Sequence, residues 1–146
     1  MLSNVTNIFL ADDDEDDRFI FQEALMELQM PTSLRTVSDG EQLMAALNTL
    51  TGDLPDVLFL DLNMPRKNGF QCLREIRQNK NLRLLKTIIF STSNEPEVIE
   101  LLFKNGADHY VKKPTEFSEL KKVIEDVLKI IQTPNLRHSI EKFVLK

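Results

Sequence analysis

The stretch Val57-Leu58-Phe59-Leu60-Asp61-Leu62-Asn63 is the part of the chain that decides the fold. Its first four residues are all apolar, and an unbroken apolar run of this length is typical of a strand covered on both faces of its sheet. The run stops at Asp61, so a carboxylate follows the strand directly. The stretch therefore predicts a central strand of a parallel sheet with an acid at its carboxyl end.

Short apolar runs and longer amphipathic segments alternate on both sides of this stretch. The other predicted strands are residues 7–11, 34–37, 87–90 and 110–111. Apolar residues at helical spacing predict helices over residues 16–29, 43–50, 70–76, 98–105 and 120–131. Five strands that alternate with five helices predict an α/β domain with a parallel sheet and helices on both faces.

Composition and charge narrow the class of protein. The 146 residues fit one domain, and Cys72 is the single cysteine, which excludes an internal disulfide and suits a reducing compartment. No signal peptide and no apolar run of roughly 20 residues is seen, so we expect a cytoplasmic protein without membrane contact. The net charge of −5 argues against nucleic acid as a partner.

Acids, hydroxyls and a lysine follow the predicted strands at the points where the strands end. These residues are Asp12, Asp13 and Asp14 after the first strand, Asp61 after the third, Ser91 and Thr92 after the fourth, and Lys113 after the fifth. In a parallel sheet the carboxyl ends of the strands meet at one edge, which is where ligands bind. We therefore expect these side chains to lie together.

This set of side chains favours phosphoryl transfer to a carboxylate. Clustered carboxylates raise one another's pKa, and a hard divalent cation such as Mg²⁺ relieves that repulsion with oxygen ligands. A lysine and a hydroxyl nearby can bind the oxygens of a phosphoryl group. Such transfer depends mainly on positioning and on charge neutralisation, which these groups supply.

Four motifs in one order resemble the receiver domain of two-component response regulators. They are the acidic pair Asp12-Asp13, the sequence Asp-Leu-Asn-Met-Pro-(x)₃-Gly from Asp61, Ser91-Thr92, and Lys113-Pro114. The resemblance covers residues 7–131. It implies a flavodoxin-like, doubly wound sheet of five parallel strands in the order 2-1-3-4-5, within a receiver domain of residues 1–132.

The resemblance also implies roles for single residues. Asp61 is the expected phosphoacceptor, and a bound Mg²⁺, or Mn²⁺ in its place, is the expected cofactor. The implied metal ligands are Asp12, Asp13, Asp61 and Asn63, and the implied phosphate-binding or switch residues are Ser91, Thr92, Lys113 and Tyr110. Tyr110 can equally be a strand aromatic packed on the last helix. Lys113-Pro114 resembles the family's cis-proline junction.

The function implied is that of a stand-alone response regulator. A histidine kinase or phosphotransfer protein is the expected phosphate donor, so the chain is a phosphoacceptor that assists its own phosphorylation and dephosphorylation rather than an enzyme. Output is expected through protein contacts or self-association that involve the fourth helix, the fifth strand, the last helix and the C-terminal tail.

Two other functions fit parts of the sequence. Asp61-Leu62-Asn63 resembles the Asp-x-Asp motif of haloacid-dehalogenase-like phosphatases, but the second Asp, their general acid, is absent and no cap domain is seen. A receiver-fold scaffold that works without phosphorylation is the other alternative, although its key residues should be missing. Glu15, Asp16 and Asp17 are interpreted as a solvated helix start without a ligand role.

Residues 133–146 extend beyond the usual receiver length. Leu136, Ile140, Phe143 and Val144 follow helical spacing and predict a short amphipathic helix. A helix this short is marginal alone, so it should dock on its own domain, on a second copy or on another protein.

Overall fold

The computed structural model describes residues 5–132 and 140–145. Its strands are β1 Thr6–Ala11, β2 Thr32–Val37, β3 Val57–Leu60, β4 Thr87–Ser91, β5 His109–Lys112 and β6 Val144–Leu145. Its helices are α1 Glu15–Glu27, α2 Gly40–Asn48, α3 Gly69–Gln78, α4 Pro96–Lys104, α5 Phe117–Ile130 and α6 Ile140–Phe143. The elements alternate along the chain up to α5, as the sequence predicts.

The sheet is parallel, and its strand order is β2-β1-β3-β4-β5-β6. The flavodoxin-like fold and the predicted order of the first five strands are confirmed. The sheet has one strand more than the five predicted, because β6 adds a short sixth strand beside β5. Two residues carry no periodicity, so this strand had no signal in the sequence.

Two apolar layers cover the sheet. One layer holds the buried side chains of α2, α3, α4 and α6, and the other holds those of α1 and α5. All four residues of β3 are fully buried between these layers, which confirms that β3 is a central strand. Within the described part of the chain, no helix is long and apolar enough to cross a membrane.

Polar caps fix where the helices begin at the edge of the sheet. The side chain of Asp14 accepts a hydrogen bond from the backbone of Asp17 at the start of α1, and that of Asp39 accepts one from Gln42 at the start of α2. Asn68 and Gln71 form a reciprocal capping box at the start of α3. These caps satisfy backbone N–H groups that would otherwise lack partners.

The loop between β3 and α3 lies tightly against the end of β3. The backbone N–H of Gly69 donates to the carbonyl of Leu62 at 2.9 Å, and a Cβ at position 69 would overlap the carbonyl of Asp61. On its other side Arg66, which has a φ of 66°, is ion-paired with the buried Asp39 at 3.1 Å. The glycine at position 69 therefore allows the loop that follows Asp61 to approach β3 closely, and the ion pair anchors the same loop to Asp39.

The described part of the C-terminal extension, residues 140–145, packs on its own domain. These residues form one helical turn followed by a short strand, whereas a helix with Phe143 and Val144 on one face was predicted. Phe143 is buried, and its ring meets that of Phe103 in α4 edge-on at 5.3 Å. Leu136, predicted to share the same face, lies outside the described residues.

Candidate functional site

Sheet register brings the predicted acids together. β1 and β3 pair up to Ala11 and Leu60, so Asp12 and Asp61 are the next residues on neighbouring strands. Oxygens of Asp12, Asp13 and Asp61 lie within 4.8 Å of one another. We call these three residues the acidic cluster. Its first and last members are buried, and Asp13 is exposed.

Asp61 is an ionisable residue directly after the apolar strand β3. Its side chain is 7% exposed, and its carboxylate accepts a long hydrogen bond of 3.4 Å from the backbone of Asn63. Burial raises the pKa of Asp61 to about 6, against the opposing charge of Lys113. The neighbouring charge of Asp12 raises it further.

Asp12 has one satisfied carboxylate oxygen and one unsatisfied one. Its Oδ1 accepts a hydrogen bond from the backbone of Asp14 at 3.0 Å. Its buried Oδ2 makes no hydrogen bond with the described residues, although Lys113 Nζ lies at ion-pair distance, 2.8 Å, without hydrogen-bond alignment. Burial is the main cause that raises the pKa of Asp12.

The acidic cluster is suited to a divalent metal ion. The buried Asp12 Oδ2 has the Lys113 ammonium as its charged neighbour, and a metal cation would add a ligand bond that this oxygen lacks. Hard cations take carboxylate and carbonyl oxygens, which is the donor set that the cluster and the adjoining backbone offer. Asn63 is exposed beside Asp61; its role as a metal ligand through its carbonyl stays a prediction.

Lys113 is the cation of the site. Its Nζ lies 2.8 Å from Asp12, 2.9 Å from Asp17 and 3.4 Å from Asp61. Burial by itself would lower its pKa, but contacts with Asp12 and Asp17 and the charge of Asp61 outweigh burial and hold the pKa above its usual value. Lys113 therefore carries a positive charge beside Asp61.

The predicted cis bond at Lys113–Pro114 is wrong, because the described residues contain no cis peptide bond. The trans form of an X–Pro bond is the more stable one by about 0.5–1 kcal/mol. The backbone N–H of Lys113 donates to the carbonyl of Ser91 at 2.8 Å. This bond ties the backbone of Lys113 to the end of β4.

The predicted switch residues lie on the β4 and β5 side of the site. Ser91 is fully buried, and its hydroxyl accepts a hydrogen bond from the backbone of Ser93 at 3.4 Å, while Thr92 is exposed. Tyr110 is buried, and its hydroxyl donates to the carbonyl of Ser93. Burial raises the pKa of this phenol.

Tyr110 does not belong to the apolar layer that contains α5. It lies in the opposite layer, with Leu102 of α4 and Phe143 of α6. Its hydroxyl lies at the loop that follows Ser91, where it donates to the carbonyl of Ser93; its role as a switch residue stays a prediction.

One residue was interpreted too simply from sequence. Asp17 lies outside the acidic cluster, but its carboxylate accepts a hydrogen bond from Lys113 instead of being free in solvent. The available signal was its spacing of three residues from the cap Asp14, which places it on the first turn of α1. Acids on a first turn are usually solvated, so this spacing alone does not predict the contact.

Comparisons with known proteins agree with this geometry. A family model described as the response regulator receiver domain matches residues 8–125. The crystal structure of the phosphorylated cyanobacterial phytochrome response regulator RcpA superposes with a TM-score of 0.80 and a sequence identity of 28%. The match covers 92% of this chain and 99% of that one. The Mn²⁺-bound form of response regulator Rcp1 is 25% identical, with a TM-score of 0.78 over 91% and 99% of the two chains.

Curated relatives differ in length. Rcp1 of Synechocystis sp. is 27% identical over 124 residues, which are 82% of this chain and 84% of Rcp1. The probable C4-dicarboxylate response regulator DctR of Bacillus subtilis is 28% identical over 118 residues, but the chain spans half of its length. These matches do not favour the phosphatase or scaffold alternatives. Because this family model matches residues 8–125, which are most of the chain, the chain belongs to the response regulator receiver domain family of two-component systems.

Proposed function

We propose that the protein is a response regulator that accepts a phosphoryl group on Asp61 in a Mg²⁺-dependent reaction. The observation that carries the proposal is the position of Asp61, whose carboxylate is a member of the acidic cluster and lies 3.4 Å from the Lys113 ammonium. Receiver domains take phosphoryl groups from histidine kinases, so a histidine kinase or phosphotransfer protein is the proposed donor.

In the proposed step, an oxygen of the Asp61 carboxylate forms a bond to phosphorus as the phosphorus–nitrogen bond of a phosphohistidine breaks. The leaving imidazole nitrogen takes up a proton, and the product is an acyl phosphate. Lys113 neutralises charge on the phosphoryl oxygens, and Ser91 offers a hydroxyl to one of them. The chain is itself changed in this reaction, so we class it as a phosphoacceptor and not as an enzyme.

Mg²⁺, or Mn²⁺ in its place, is the proposed cofactor. Asp12, Asp13 and Asp61 would hold it, with the backbone carbonyl of Asn63. When bound, the cation would neutralise charge on the carboxylates and the incoming phosphoryl group. Response regulator Rcp1 has a Mn²⁺-bound form, and this supports a divalent ion as the cofactor of a similar chain.

The proposed output is a change in protein contacts in a cytoplasmic signalling pathway. The proposed output surface is made by α4, β5, α5 and the tail. Tyr110 lies between the site and the α4 part of this surface, because its hydroxyl donates to the carbonyl of Ser93 and its ring packs near α4. A shift of Ser91 toward a phosphoryl group would change this loop and bias two states of the surface. The tail, which pairs with β5, belongs to that surface.

Intact mass after incubation with acetyl phosphate and Mg²⁺ tests the function. The wild type is expected to gain one labile phosphoryl group, and Asp61→Ala is expected to gain none. The matched control is Asp53→Ala, an exposed aspartate that should be phosphorylated like the wild type. Phosphorylation of Asp61→Ala would show that the acceptor is another residue, and no gain in the wild type with Mg²⁺ present would refute the proposal.

A further inference from the structure

Lys113 is shared by three carboxylates, and one of them is not needed for the chemistry described so far. Its ammonium donates a hydrogen bond to Asp17 at 2.9 Å and a longer one to Asp61 at 3.4 Å. Asp17 thus makes the shorter of the two aligned hydrogen bonds. In this state the phosphoacceptor is not the preferred acceptor for the lysine.

Asp17 is held in place from its own helix. It stands on the first turn of α1, and its backbone N–H donates to the Asp14 side chain at 3.0 Å. Its side chain is 38% exposed, whereas those of Asp12 and Asp61 are 1% and 7% exposed. Asp17 therefore stands on an anchored helical turn, and its partly exposed carboxylate meets Lys113 beside the two buried acids.

Asp17 also differs from the other two acids because it is not one of the candidate metal ligands. Asp12 and Asp61 belong to the acidic cluster, and a carboxylate oxygen engaged by a cation is a weaker acceptor for an ammonium group. Asp17 is not a member of that cluster. It is thus the one of the three that stays available to Lys113 when a cation is bound.

We propose that Asp17 is a positioning residue that holds Lys113 in the unphosphorylated protein and competes with the phosphoryl group on Asp61 for its ammonium. This inference rests on the proposed function and adds a determinant of how fully Asp61 becomes phosphorylated. Charge-assisted hydrogen bonds to one ammonium compete directly, since the phosphoryl oxygens can recruit Lys113 only as the bond to Asp17 is lost or weakened.

Affinity for beryllofluoride, a mimic of the acyl phosphate, tests the inference in the full-length protein with saturating Mg²⁺. Asp17→Asn is compared with Asp16→Asn, which removes the same charge from the same helical turn at an exposed residue. By calorimetry, Asp17→Asn is expected to lower the beryllofluoride Kd about threefold to tenfold below that of Asp16→Asn. Mg²⁺ affinity, measured separately, should be equal in the two variants.

A second comparison separates competition for Lys113 from simple repulsion. In a Lys113→Met background the two variants are expected to have equal beryllofluoride affinities. Tighter binding by Asp17→Asn in that background, or equal beryllofluoride affinity of the two variants when Lys113 is present, would overturn the role of Asp17. Absence of beryllofluoride binding in the wild type would instead count against the proposed function itself.

Discussion

Asp61 is ionised at neutral pH at a cost to the stability of the fold. Its pKa is raised from 3.8 to about 6, chiefly by burial. Between these two values the folded protein binds more protons than the unfolded chain, so stability falls as pH rises through this window. Above about pH 6 the full penalty is present, and below about pH 4 it has disappeared.

Asp61→Asn should therefore stabilise the protein at pH 7 by about 1–3 kcal/mol, because it removes a buried charge while Lys113 keeps Asp12 and Asp17 as partners. The gain should shrink toward zero near pH 4. Urea unfolding followed by circular dichroism in EDTA measures it. The exposed control Asp53→Asn should change little at either pH, and a variant no more stable than wild type at pH 7 would contradict the argument.

At the scale of elements, α6 and β6 are the least expected part of the fold. The contacts of the described residues 140–145 include the ring contact of Phe143 with Phe103 and the short parallel pairing of β6 with β5, and His109 Nδ1 lies 3.2 Å from the carbonyl of Phe143. Phe143 is the buried anchor of this unit, because α6 alone is a single turn. We therefore expect the docking of residues 140–145 to depend on its side chain.

Phe143→Ala is expected to lower the free energy of unfolding by about 2–3 kcal/mol. The loss should stay in this range because the tail can undock, so that no cavity is left in a rigid core. Hydrogen exchange should quicken at the backbone amides of Val144 and Leu145 and less so in β3. Leu101→Ala, at a half-exposed residue of α4, is the control and should cost little. Unchanged protection of β6 would show that the tail does not depend on Phe143.

At the scale of the whole molecule, folding creates the acidic cluster from residues that are far apart in the chain. A ligand that binds only the folded state stabilises it, by about 2.7 kcal/mol at a hundredfold excess over Kd. Mg²⁺ should therefore raise the urea midpoint of the wild type. Asp13→Asn should reduce this rise and Asp16→Asn should not; equal responses of the two variants would argue against a site at the cluster.

The strands that could be predicted from the sequence are those buried on both faces of the sheet. β3 was readable because residues 57–60 are all apolar and all buried. β2 was only partly readable: it begins at Thr32 instead of Leu34, because an edge strand with Ser33, Arg35 and Thr36 exposed shows little apolar pattern. The tail was misread because Phe143 ends a helix while Val144 begins a strand.

The meeting of the site residues was also predictable, since carboxyl ends of parallel strands share one edge. The sequence placed Asp12, Asp61 and Lys113 there, and the structure brings their charged atoms within ion-pair distance. The contact between Asp17 and Lys113 was not predictable in the same way. It depends on the side-chain direction at one turn of α1, which residue type and spacing do not determine.

Tyr110 gives the molecule a built-in optical probe. The chain has one tyrosine and no tryptophan, so its intrinsic ultraviolet fluorescence comes almost wholly from a single buried ring. The hydroxyl of this ring donates a hydrogen bond to the carbonyl of Ser93, two residues after Ser91. Emission should therefore respond to a change at the loop after β4, so the proposed rearrangement of this loop could be followed in unlabelled protein in real time.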